Sequence, residues 1–200
     1  MSVSAASPKV IMPLSTSTTV SPKVEFFGSV TEGRKICYVV DCSGSMRGAF
    51  GRVQKELIES IDSLEADRYF YVIFFASDKL FEYGDGKLIR ATPQAKSAVR
   101  EFIKSVQPLG STNAMAALER AMQIRDGKGA APAIIYFLTD GFELTNENAY
   151  SFADKVLNVR KSFAPATKIN TIGFWVQRAD GRILERIAKQ SGGECVLVND

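Results

Sequence analysis

The sequence predicts a single α/β domain, a mostly parallel, doubly wound sheet with helices on both faces in three layers. Three observations carry that expectation. Short apolar runs alternate with amphipathic stretches from residue 24 onward. The runs at 35–42 (KICYVVDC) and 132–139 (PAIIYFLT) are apolar on both faces, as buried parallel strands are. The connections are long enough to hold a crossover helix. Two hundred residues, 46% of them apolar and 24% charged, make one ordinary globular domain.

Residues 1–24 stand apart. Half are Ser, Thr or Pro, none is acidic, and Ser-Pro-Lys-Val occurs at 7–10 and again at 21–24. The expectation is a flexible linker or tail over 1–24 and a folded domain over 25–200. Residues 24–30 are left open as a further strand at the sheet edge. Residues 35–42 are the first buried strand. Val53, Leu57, Ile61 and Leu64 mark a helical stripe over 50–64. Residues 68–76 (RYFYVIFFA) read as a second strand with core aromatics, and 87–91 as a shorter third. Thr92 as N-cap and Pro93 in the first turn open a helix over 93–106, with Ala95, Val99, Phe102 and Val106 as its stripe. A third helix over 113–126 stops at Gly127 and Gly129. Strand 132–139, helix 147–163, strand 168–176, helix 181–190 and strand 194–198 complete a six-stranded sheet.

Composition removes several chemistries. The chain has no histidine, so Ser–His–Asp catalysis, His-based proton shuttling and His-containing zinc sites are excluded. There are three cysteines. Cys37 and Cys42 lie in one strand, roughly 16 Å apart, beyond the roughly 7 Å Cα limit for a disulfide. Free thiols and a reducing compartment are expected. The net charge of +3 is small and the cations are scattered, which argues against nucleic acid. Arg178, Arg182 and Lys189 are expected to be solvated. No stretch approaches the roughly 18 apolar residues of a membrane span, and the first residues lack the charged and apolar regions of a signal peptide. The expected location is cytoplasmic, or a soluble part of a membrane-anchored protein.

In such sheets ligands bind beyond the carboxyl ends of the strands. Three segments place oxygen donors there: Asp41-Cys42-Ser43-Gly44-Ser45 after the first buried strand, Gly110-Ser111-Thr112-Asn113 opening a helix, and Leu138-Thr139-Asp140-Gly141 at another strand tip. In an extended loop, residues at i, i+2 and i+4 point the same way, so Asp41, Ser43 and Ser45 can converge. Oxygen donors without His or Cys select Mg²⁺ first, with Mn²⁺ and Ca²⁺ as alternatives. Five protein groups, Asp41, Ser43, Ser45, Thr112 and Asp140, leave at least one of six octahedral positions for water or an incoming oxygen. Asn113 is expected to cap its helix and Cys42 to fill the core. Met46, Arg47, Phe50, Phe142, Glu143 and Leu144 flank the site, as a partner-selecting rim or as ordinary loop packing.

This pattern, D-x-S-x-S, then a loop threonine, then T-D-G, resembles the metal-ion-dependent adhesion site of the von Willebrand factor A family. The resemblance covers about residues 34–198, including Leu184, Ile187-Ala188 and Ser191-Gly192-Gly193 of the last helix and turn. It implies a six-stranded order 3-2-1-4-5-6 with one antiparallel edge strand, and Asp41 and Asp140 on neighbouring strands. It also implies a protein partner whose Asp or Glu completes the metal shell, with no catalytic residue. The flanking cysteines of the secreted A domains are missing, and the member expected is bacterial-type, intracellular or membrane-anchored. Two other classes stay open. One is a Mg²⁺-dependent hydrolase or phosphotransfer enzyme using Asp41, against which Ser43 stands where aspartate phosphatases carry an acid. The other is a scaffold with a vestigial site.

Overall fold

The computed structural model describes residues 23–142 and 146–199. The expected linker therefore lies outside the described residues, except for Lys23 and Val24. The chain begins with a hairpin, β1 (Val24–Phe26) and β2 (Ser29–Thr31). Its two-residue turn holds Phe27 at φ 49° and Gly28 at φ 79°, the paired positive angles that match the twist of antiparallel strands. The hairpin does not extend the sheet edge. Val24 and Phe26 are buried, and the Phe26 ring meets Tyr38 and Tyr136 edge-on at 5.3 and 5.4 Å. Tyr136 also donates to the Ser29 carbonyl at 3.0 Å. Two buried tyrosines thus hold the hairpin flat on one face of the sheet, and Val24 belongs to the domain.

The remaining elements follow in order: β3 (Lys35–Asp41), α1 (Phe50–Asp62), β4 (Tyr69–Ala76), β5 (Lys79–Tyr83), β6 (Ile89–Arg90), α2 (Pro93–Ser105), α3 (Ala114–Gln123), β7 (Ile134–Thr139), α4 (Asn146–Phe163), β8 (Lys168–Phe174), α5 (Arg178–Ser191) and β9 (Cys195–Val198). The main sheet runs β5-β4-β3-β7-β8-β9, and β6 also pairs with β4. From β4 to β9 every pairing is parallel; β5 and β6 are antiparallel to β4. The expected order is present, but among the described residues the sheet has seven strands rather than six. Ser77 takes φ 50° immediately after β4. The chain reverses there, and Lys79 pairs with Ala76, so Lys79–Tyr83 takes the edge position expected of 87–91. Only Ile89–Arg90 of that expected strand remains.

Alternation divides the core. Tyr38, Val40, Val72, Phe74 and Tyr136 face α1, α2 and the hairpin, whereas Cys37, Val39, Ile73, Phe75 and Phe137 face α3, α4 and α5. Thr92 caps α2 as expected, its hydroxyl accepting from the Ala95 amide at 3.2 Å. The chain leaves β3 for β4 on one side and returns to β7 on the other. That divergence opens a crevice at the carboxyl ends of β3 and β7.

Candidate metal centre

Asp41 is the last residue of β3, and its side chain is 0% exposed. Its Oδ1 accepts from the Ser43 amide at 2.8 Å and its Oδ2 from the Thr139 hydroxyl at 2.7 Å. Ser43 is buried and extended, heading a short 3₁₀ turn over Gly44–Gly48. Its hydroxyl lies 3.1 Å from that of Ser45, which is exposed. The D-x-S-x-S spacing thus brings one carboxylate and two hydroxyls together at the strand tip.

Backbone bonds carry the second segment to the first. The Leu109 amide donates to the Cys42 carbonyl and the Gly44 amide to the Gly110 carbonyl, both at 2.9 Å. Gly110 sits at φ 64°, where an added Cβ would come within 2.2 Å of Ser77 Oγ. Only glycine fits, because the loop is also tied to Ser77 through the Ser111 amide and carbonyl. Half-buried Thr112 follows, just before α3. Asp140, half-buried, is the next residue after β7.

Electrostatics distinguishes this cluster. Burial pushes the Asp41 carboxyl up to about 6 and the Asp140 charge pushes the same way, while hydrogen bonds from Thr139 and Ser43 oppose both. Among the described residues no ammonium or guanidinium pairs with either aspartate. Nor do those residues hold any group of three or more His, Cys, Asp or Glu side chains that could bind a metal. The donors here are two carboxylates and hydroxyls. That set suits a hard divalent cation, which would also neutralise the facing charges.

Several flanking expectations change. Asn113 makes no side-chain cap; its amide donates to Asp78 Oδ1 at 3.3 Å instead. Met46 and Phe50 are buried, so they are packing rather than rim, and Arg47 is exposed. Phe142 packs between Phe137 and Phe152, with centroids at 6.1 and 4.8 Å. Glu143 and Leu144 lie outside the described residues. Cys42 is buried, as expected, with its thiol toward the Phe75 carbonyl. Sequence reasoning missed Asp180. It is buried in the first turn of α5, accepts from the Phe142 amide, and lies where a Cβ on Gly141 would meet it at 3.0 Å. It steadies the loop that carries Asp140, and no spacing motif points to it.

Comparison with known proteins bears on the family and the fold. The family model described as von Willebrand factor type A domain matches residues 36–143, more than half of the chain. The chain belongs to that family. Among curated proteins, inter-alpha-trypsin inhibitor heavy chain H4 of Homo sapiens is 27% identical over 175 residues, covering 83% of this chain but 18% of that protein. The chain spans less than a fifth of the length of such curated relatives. Among solved structures, a von Willebrand factor type A protein from Catenulispora acidiphila aligns with a TM-score of 0.65 at 19% identity, covering 86% of this chain and 40% of that one. The pilus adhesin SpaC from Lactobacillus rhamnosus GG aligns at 0.62 and 15% identity, over 84% of this chain and 30% of that one. These structural likenesses bear on the fold of the A domain. No helix among its described residues is long and apolar enough to cross a membrane.

Proposed function

We propose that this A domain is a metal-dependent protein-binding module. A divalent cation, Mg²⁺ in the first place with Mn²⁺ or Ca²⁺ as substitutes, is held by Asp41, Ser43, Ser45, Thr112 and Asp140. Its open coordination position captures an Asp or Glu carboxylate of a partner protein. The observation that carries the reading is the buried Asp41 carboxylate, which faces a second negative charge and no cation of the described residues. An uncompensated buried charge is costly, and a bound dication removes the cost.

When bound, the ion supplies a Lewis-acidic attachment point for an anionic oxygen. The chain's own residues do the rest. Ser43 N–H and Thr139 O–H fix both oxygens of Asp41, and the Gly44–Gly110 bond locks the two loops together. No histidine is available to move a proton, and Ser43 cannot act as a general acid at neutral pH. These two features support binding without turnover.

The test is a pull-down from lysate with the immobilised chain, with and without chelator, comparing wild type with Asp41→Ala. Partners released by chelator and absent from the variant support the reading. A robust Mg²⁺-dependent phosphatase or nucleotide hydrolysis that disappears in Asp41→Asn overturns it in favour of an enzyme.

A further inference from the structure

A second feature shares the pole that carries the candidate site. β8 lies beside β7 with Gly173 in register with Thr139, so the chain leaves β8 next to Asp140. It leaves through Trp175, the only tryptophan of the sequence, which is 53% exposed. Trp175 holds φ at 46°, a left-handed backbone that a bulky residue adopts only against a steric cost. Its amide is pinned to the Val198 carbonyl at 2.9 Å, and its ring meets Phe174 edge-on at 5.8 Å. The indole is thereby presented outward rather than folded onto the core. Strain of this kind gathers at ligand clamps.

Beyond Trp175, α5 and β9 enclose a groove of about 450 Å³, lined by Val176, Arg178, Gly181, Arg182, Glu185 and Leu197 among others. Leu197 is 41% exposed. Arg178 and Arg182 are exposed, one turn apart in the first half of α5, where the helix dipole adds positive charge. Glu185 offsets one of the two cations, leaving the groove net positive. Tryptophan and arginine are the residues in which binding energy concentrates at interfaces.

We propose that the partner presents its metal-binding carboxylate within an extended acidic segment. That segment crosses Trp175 into the groove, where a second Asp or Glu pairs with Arg178 and Arg182 and an apolar side chain rests on Leu197. This rests on the metal-dependent reading above and names the partner's chemistry. The fold fixes the spacing. β9 lies two strands from β7 and three from β3, on the order of 10–14 Å at ~4.8 Å per strand. An extended chain advances ~3.3 Å per residue, so the apolar residue over Leu197 stands three or four positions from the metal-binding acid.

The test is selection of a random peptide library, free of tryptophan, on the immobilised full chain in Mg²⁺ with chelator elution. Binding of the recovered peptides is then followed by Trp175 fluorescence. The expected consensus has one acid, an apolar residue three or four positions from it and a second acid beside that residue, and binding shifts the Trp175 emission. An Arg178→Gln, Arg182→Gln double variant weakens binding at least tenfold. So does Trp175→Gly, followed by competition, with its melting temperature unchanged or raised because glycine relieves the backbone. Both variants keep the Mg²⁺ thermal shift. Chelator-eluted peptides with one acid, bound equally well by both variants, overturn the groove and leave the metal-binding reading standing. Absence of any chelator-eluted peptide overturns both. A metal-independent dimer that buries Trp175 through β9 also overturns the proposal, since the surface then belongs to a second copy of the chain.

Discussion

The strand β3 begins at Lys35 and ends at Asp41, and an aspartate is stationed at each end. At the lower end, Asp126 Oδ2 lies 2.6 Å from Lys35 Nζ, and its Oδ1 accepts from the Lys128 and Ala130 amides at 2.8 Å. The Lys35 bond, with these amides, holds the Asp126 carboxyl down at about 2. At the upper end, Asp41 has hydrogen bonds from Ser43 and Thr139 but a neighbouring anion in place of a cation, and burial pushes its carboxyl up to about 6. Where the charge serves only the fold, the chain supplies the counter-ion. At the candidate site it supplies hydroxyls and a second acid, an arrangement that a cation from outside would complete.

Removing the charge at each end should therefore act with opposite sign. Without metal at pH 8, Asp41→Asn should stabilise the domain by up to about 3 kcal/mol, since each tenfold weakening of the carboxyl's acidity on folding costs ~1.4 kcal/mol. Asp126→Asn should lower the melting temperature. Thermal melts of both variants in chelator check this, and two shifts of the same sign would erase the comparison.

The pH dependence separates the two ends further. The folded Asp41 value lies above the ordinary 3.8. Between about pH 4 and pH 6 the folded chain thus binds more protons than the unfolded one, and apo stability falls as pH rises through that window. Asp126 behaves in reverse: its contribution is complete above about pH 4 and is lost as pH falls toward 2. Denaturant titrations from pH 3 to pH 8 should lose the upper slope in Asp41→Asn and keep it in Asp126→Asn. Mg²⁺ affinity should weaken below about pH 6, because proton and ion compete for the Asp41 carboxylate.

The smallest effect is expected at Ser45, whose exposed hydroxyl meets that of Ser43. Ser45→Ala should change apo stability by less than about 0.5 kcal/mol. It should still weaken the metal-induced thermal shift several-fold in apparent affinity. A large loss of apo stability would make Ser45 a structural residue and blur the contrast between the ends of β3.

How legible these features were follows their physics. β3, β4 and β7 are buried on both faces, so their apolar runs stand out in the sequence, and the tips carrying Asp41 and Asp140 follow from them. Lys79–Tyr83 was hidden because it is an edge strand with exposed or half-buried residues throughout, and its K-L-F-E-Y pattern lacks an uninterrupted apolar face. The hairpin was not read from the sequence, which left 24–30 open as one edge strand, because its position on the sheet face depends on Tyr38 and Tyr136. The expected Asn113 cap was displaced by the nearby carboxylate of Asp78. Asp180 contacts the site loop only because α5 packs against it, and sequence spacing carries no trace of that contact.

The most direct measurement is the melting temperature of the full chain with and without Mg²⁺, in wild type and in the Asp41→Ala, Asp140→Ala double variant. The proposed donor segments are far apart in sequence and are brought to one end of the sheet only by the fold, so an ion held there would favour the folded state. At about one hundred times its dissociation constant it should add roughly 2.7 kcal/mol, or roughly 5–10 °C for a domain of this size. The account predicts that shift in wild type and none in the double variant. An undiminished shift in the double variant would place the ion elsewhere and contradict the account.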